Sequence, residues 1–257
     1  MAQYHLDKVK FNSNNNTQFE AFLSAMNGSV GHFPLANSQI NGISHINKFG
    51  YSDNIATLST IWDGSNIYTY SSSAGAVTVA GSSDDDSAVI EIQGLDANYN
   101  VVVQDVTLDA DGNGTASTNL IRIFRARVKT PADGETTNAA NLNINIAGAV
   151  RAKILAGNGQ TLMAVYTIPA GKTGYLLNLT TSVDKNVDVI YKLFSRKIDD
   201  GAFNLKGQFG TFGTPLDHSY PVPLKFEEKT DIEVRADAGN TSGGGATFDL
   251  ILVDNPT

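Results

Sequence analysis

Residues 161–183, TLMAVYTIPAGKTGYLLNLTTSV, decide the reading of this chain. Leu162, Ala164 and Tyr166 alternate with Met163, Val165 and Thr167. Beyond a Pro-Ala-Gly-Lys-Thr-Gly tip, Tyr175, Leu177 and Leu179 alternate with Leu176, Asn178 and Thr180. A period of two puts successive side chains on opposite faces, which is the mark of a β-strand. Pro169 has no N–H for a ladder and so marks a strand end, while Gly171 and Gly174 permit a tight turn. The stretch predicts a β-hairpin.

Working outward, the same style continues. Short alternating runs fall at 56–62, 68–70, 76–80, 88–93, 100–108 and 119–128. After a polar, aperiodic segment, TPADGETTNAANL at 130–142, they resume at 144–146, 149–155 and 187–196. Further runs lie at 203–209, 220–226, 231–236 and 247–253. Turn residues separate them. This spacing predicts an all-β chain of one or two antiparallel β-sandwiches, with a jelly-roll-like C-terminal half. The predicted partition is an N-terminal arm at 1–48, a sandwich at 49–130, a linker at 131–142 and a jelly-roll-like sandwich at 143–257. The last run, TFDLILVD, is apolar on both faces and predicts a strand covered on both sides. In LIRIFRARV, 120–128, arginines fall on both faces, so their heads must find a carboxylate or a partner chain.

The arm contains the best helix signal. Thr17 and Glu20 have the spacing of a capping box, and Phe19, Phe22, Leu23 and Met26 form one apolar stripe at i, i+3, i+4 and i+7. So short a helix needs a surface to dock on, either its own domain or a neighbouring subunit. These four residues are the predicted partner-binding set.

Composition narrows the function. The 257 residues are 41% hydrophobic and only 17% charged, with net charge −8 and a pI near 4.9. An acidic chain does not suit nucleic acid, whose phosphates need a basic face. The absence of Cys excludes disulfides and thiolate chemistry. No apolar run is long enough to span a bilayer, so no membrane partner is expected.

Motifs that carry chemistry are weak. DADGNG opens like a calcium loop, with Asp109, Asp111 and Asn113 as oxygen ligands, but the twelfth position, where the loop needs an acid, is Leu120. A tight turn is the simpler reading. Asp84, Asp85 and Asp86 read as a solvated loop. His5, His32, His45 and His218 lack metal-ligand spacing. Trp62, Tyr68 and Tyr70 form either core or an aromatic platform for sugar. GKTG at 171–174 lacks the rest of a phosphate loop. No catalytic residues, metal or cofactor are expected, and the chain reads as a non-enzyme.

Six longer segments carry a resemblance. GQTLMAVYTIPAGKTGYLL at 159–177, PLKFEEKTDIEVR at 223–235 and ATFDLILVDN at 246–255 resemble a family of marine bacteriophage virion structural proteins, of the kind found in phages of cyanobacteria. HINKFGYSDN at 45–54, TIWD at 60–63 and GLDANYNVVVQDVTL at 94–108 fit the same pattern. The resemblance covers residues 45 to 255. It implies a non-enzymatic structural protein of the virion, assembled in the host cytoplasm, and brings no site residues. The expected role is a capsid decoration or cement protein that packs on the major capsid protein or other virion proteins. A homo-oligomer, such as a trimer, is expected. The alternatives are a neck, tail or baseplate component, or a carbohydrate-binding module for host attachment.

Overall fold

The computed structural model describes residues 41–184 and 186–256. They are almost entirely antiparallel β-structure in four sheets. The helix expected at 17–26, with Phe19, Phe22, Leu23 and Met26, lies outside the described residues.

The first sheet contains β1 (Ile43–Ser52), β11 (Lys172–Val183), β14 (Leu216–Phe226) and β16 (Gly244–Asp254), in the order β1-β16-β11-β14. The second contains β2 (Ser59–Thr60), β10 (Val165–Thr167), β12 (Asp188–Arg196), β13 (Asn204–Phe212) and β15 (Asp231–Asp237). Its order is β10-β15-β12-β13, with β2 also on β15. These two sheets share one core. Leu176, Phe248 and Leu250 from the first meet Tyr191, Leu193 and Val234 from the second, all fully buried. β16 is paired on both sides, by β1 and β11. Its outward residues Ile251 and Val253 are buried as well, which is why this strand is apolar on both faces.

Two further sheets arise between β2 and β10. One is β6-β3-β8-β9, formed by β3 (Val77–Ala80), β6 (Asn113–Thr115), β8 (Leu142–Ile146) and β9 (Ala149–Ile154). The other is β5-β4-β7, formed by β4 (Val89–Leu95), β5 (Val101–Thr107) and β7 (Arg122–Thr130). Val79, Ile144 and Ile154 meet Ile90, Ile92 and Ile123 in a second core. β7 serves both cores: Phe124 belongs to the first, Ile123 and Ala126 to the second.

The chain thus starts one unit, leaves it to build another, and returns. Departure and return lie side by side. Trp62 bridges Met163, Asp63 N donates to Leu162 O at 3.1 Å, and Leu162 N donates to Asp63 Oδ2 at 2.8 Å. Asp63 is the clasp on the two stems.

Three expectations need correction. First, the hairpin over 161–183 does not form. β10 pairs with β15, whereas β11 lies between β16 and β14 in the other sheet. The tip carries the chain from one sheet to the next, and Ala170 N donates to Tyr99 O at 2.9 Å across it. Period two fixes which residues share a face, but not which strand is the neighbour. Second, 43–48 belongs to β1 and not to an arm. Third, pairing crosses the segment 131–142: β8, after it, pairs with β3, before it. That segment is polar because it is fastened by polar bonds. Asn138, 2% exposed, donates to Leu155 O at 2.9 Å and accepts from Gly159 N.

Candidate functional site

The residues singled out in the sequence do not converge. Asp109 Oδ1 accepts from the amides of Asp111 (3.0 Å) and Asn113 (2.9 Å), so it caps its own turn. Gly112 has φ +74°, and a Cβ there would meet the Ser82 backbone at 1.9 Å. Both facts favour Gly for the turn without invoking an ion. Among the described residues no three His, Asp or Glu side chains are grouped to hold a metal. The aspartate run is not uniformly solvated. Asp85 is fully buried, and its carboxylate accepts from Ala139 N (2.7 Å) and Ala140 N (3.0 Å), which ties this turn to the 131–142 segment.

Trp62 and Tyr68 are 5% and 3% exposed. They stack edge to face at 5.1 Å, and Tyr68 continues to Tyr70 at 4.8 Å with an interplanar angle of 80°. Trp62 Nε1 donates to Asn66 O and Tyr68 OH to Arg151 O, both at 2.9 Å. Trp62 and Tyr68 are interior and Tyr70 is half-buried with its hydroxyl on Glu233, so the three offer no open face on which a sugar could lie flat.

Beside Tyr70 the two units are bolted together by charge. Arg122 on β7 makes a fork onto Asp231 on β15, Nε to Oδ1 at 2.8 Å and Nη2 to Oδ2 at 3.0 Å. Thr167 Oγ1 donates to Oδ1 and Arg196 Nη2 to Oδ2, each at 2.7 Å. Asp231 thereby accepts four bonds, the capacity of a carboxylate. Next to it Glu233, fully buried, accepts from Tyr70 OH at 3.1 Å and from Arg235. Burial, and then the Glu233 charge, push the Tyr70 phenol well above its usual value, so it stays a neutral donor. Arg122 and Arg196 both lie 5.0 Å from the Tyr70 ring centroid. The arrangement is a saturated clamp, with every carboxylate oxygen of Asp231 already spent.

One exposed feature among the described residues is an edge that carries the two most exposed large apolar side chains. β13 ends the second sheet and β14 ends the first; each is paired on one side only. They are consecutive in sequence, and Phe209, His218 and Tyr220 stack between them at 4.8 and 4.6 Å. Along this edge Leu205 is 51%, Phe212 74% and Val222 80% exposed. Val222 owes its position to a bulge. The β11–β14 register jumps from Leu176↔Leu224 to Asn178↔Ser219, so Tyr220-Pro221-Val222-Pro223 leaves the ladder. The prolines suit an unpaired edge, since neither can donate. None of the residues predicted from sequence as partner-binding belongs to this edge. The legible signal was the Pro-Val-Pro inside a strand pattern, which marks an edge or bulge.

No family model matches the chain, and no curated protein sequence does. Among solved structures, one alignment is to the structure of infectious bursal disease virus Gt strain. Identity is 9%, coverage is 84% of this chain and 78% of that one, and the TM-score is 0.16. At that score the likeness carries no argument about fold or function.

Proposed function

We propose that this chain is a bacteriophage virion structural protein, a capsid decoration or cement protein that works by packing against neighbouring subunits and not by catalysis. The observation that carries the packing role is the open β13–β14 edge, with Phe212 and Val222 mostly in solvent. Large apolar side chains exposed on edge strands are a liability unless a partner covers them. Pro221 and Pro223 hold Val222 out on a stiff bulge, and a preorganised knob loses little freedom when it docks. The proposed partner is a second copy of the chain, in an assembly seated on the major capsid protein.

Within this reading, eight of the nine strands of the first two sheets, all but the short β2, form a jelly roll. What supports it is strand order: β1-β16-β11-β14 faces β10-β15-β12-β13 across one core. That double-sheet, eight-strand form recurs in viral capsid domains. Four sheets also match the blade count of a small propeller. A propeller, however, repeats one local four-stranded unit around a channel, whereas the first sheet here draws strands from both ends of the described chain. The sheets also share cores in pairs.

Copy number in purified particles tests the proposal. Quantitative mass spectrometry against the major capsid protein is expected to give a simple fraction of that protein. A count sufficient only for one ring would move the chain to the neck, tail or baseplate. Absence from particles would overturn the virion reading altogether.

A further inference from the structure

A cavity of about 350 Å³ lies at the seam of the two units, opposite in character to the Asp231 clamp. Lys48 on β1 and Arg125 on β7 line it, with Gln160 and Thr161 from the returning stem. Lys48 is 6% exposed, and its ammonium makes one hydrogen bond, to the carbonyl of Phe124. Arg125 donates through Nη2 to Gln160 Oε1 at 3.0 Å, while its Nε is buried with no partner. No carboxylate lines the cavity. The acids beyond its rim are engaged elsewhere: Asp249 with His45 and Asn47, Glu91 with Arg127 and Gln93.

Two cations that share a largely buried site without a counter-ion are costly, because each raises the charging cost of the other. The remaining groups are also donors. Gln160 spends its oxygen on Arg125, which leaves its amide nitrogen to donate. Thr161 Oγ1 accepts from Ala126 N at 3.2 Å, which leaves its O–H to donate. We propose that this cavity is a binding site for a phosphate-class oxyanion, held by Lys48, Arg125, Gln160 and Thr161. Such a ligand supplies the missing counter-charge to both cations and accepts from the amide and the hydroxyl. Its bonds to Lys48, Arg125 and Thr161 would span both units and pin the inserted one to the first. The same geometry, burial first and then the Arg125 charge, lowers the Lys48 ammonium to about 7. The other titratable groups that line the cavity are Arg125, His45 on β1 and Tyr166 on β10.

The test is calorimetric titration of the full chain with inorganic phosphate at pH 6.5, with sodium chloride at matched ionic strength as the reference. Saturable binding at one site is expected. Arg125→Gln and Lys48→Met should each weaken it about tenfold or more, the size of a lost charge-assisted hydrogen bond. Lys206→Met, on exposed β13, should leave Kd unchanged. Where the two variants disagree, Arg125→Gln, at a half-buried residue, decides alone. No saturable heat in the wild type, or an unchanged Kd in Arg125→Gln, would overturn the assignment.

Discussion

Arg122 and Arg125 stand three residues apart on one strand and meet opposite surroundings. Arg122 closes a fork on Asp231, whose four acceptor positions are all filled. Arg125 meets a lysine and an amide, and its Nε is left over. Simple alternation does not set them apart, because the β4–β7 register shifts between Gly94↔Ile123 and Gln93↔Arg125. The difference lies in what the other unit presents. β15 supplies a carboxylate on one side, whereas β1 supplies a second cation on the other. The first site holds the fold together. The second is an imbalance that a ligand can relieve.

The largest effect is expected where the saturated site is broken. Asp231→Ala leaves Arg122 and Arg196 buried beside each other and should cost about 3–5 kcal/mol, the range for a buried pair that loses one member. A fall in the urea midpoint with unchanged slope would register it. A loss much below that range would mean that water reaches the clamp.

Next come the pH slopes, one for each sign. Asp63 is held up to about 7, mainly by burial, against the pull of its bond from Leu162 N. Its folded value lies above its unfolded one, so its stabilising effect is present below about pH 4 and is lost as pH rises through 7. Lys48 runs the other way. Its folded value, about 7, lies below the usual lysine value of 10.5, so stability rises between those limits, by at most about 1.4 kcal/mol per pH unit. Asp63→Asn should flatten the acid-side slope and Lys48→Met the alkaline one, in urea melts from pH 4 to pH 10. In ligand-free buffer Lys48→Met should be more stable than wild type below pH 7, with the gap narrowing above it. An unchanged alkaline slope in that variant would show that Lys48 is not the group responsible.

The smallest effect is expected at the surface. Arg127 pairs with Glu91 through Nη2 at 2.7 Å, but its side chain is 41% exposed. Water already serves such a pair. Arg127→Gln should cost only a little stability at neutral pH, a loss that fades as pH falls toward 2, and Glu91, held down to about 2 chiefly by the Arg127 bond, should titrate higher in the variant. An NMR titration of that carboxyl checks it.

How much of this was legible in the sequence depends on range. Alternation located most strands, and the doubly apolar TFDLILVD announced the strand paired on both sides. Partners were not legible. Residues 161–183 look like a hairpin because two periodic runs flank a turn, yet each run pairs with a strand tens of residues away. Asp231 lies 109 residues from Arg122, and nothing near either residue points to the other. β1 was read as part of an arm because Asn-rich sequence precedes it; its pairing with β16 is the longest-range contact in the first sheet. The buried Asp85 was hidden among like charges, where a solvated loop is the ordinary outcome. The exposed edge could have been inferred, since Pro221 and Pro223 inside a strand pattern already exclude an interior ladder.

The proposed packing surface is the β13–β14 edge. Phe212→Asp combined with Val222→Asp tests it most directly, because both side chains are mostly in solvent and should alter the stability of the fold by no more than about 0.5 kcal/mol each. Analytical ultracentrifugation of the wild type and the double variant is the measurement. The account predicts a wild-type oligomer and a folded, monomeric variant with an unchanged melting transition. A variant that sediments as the same oligomer, or a wild type that stays monomeric at every concentration, would contradict it.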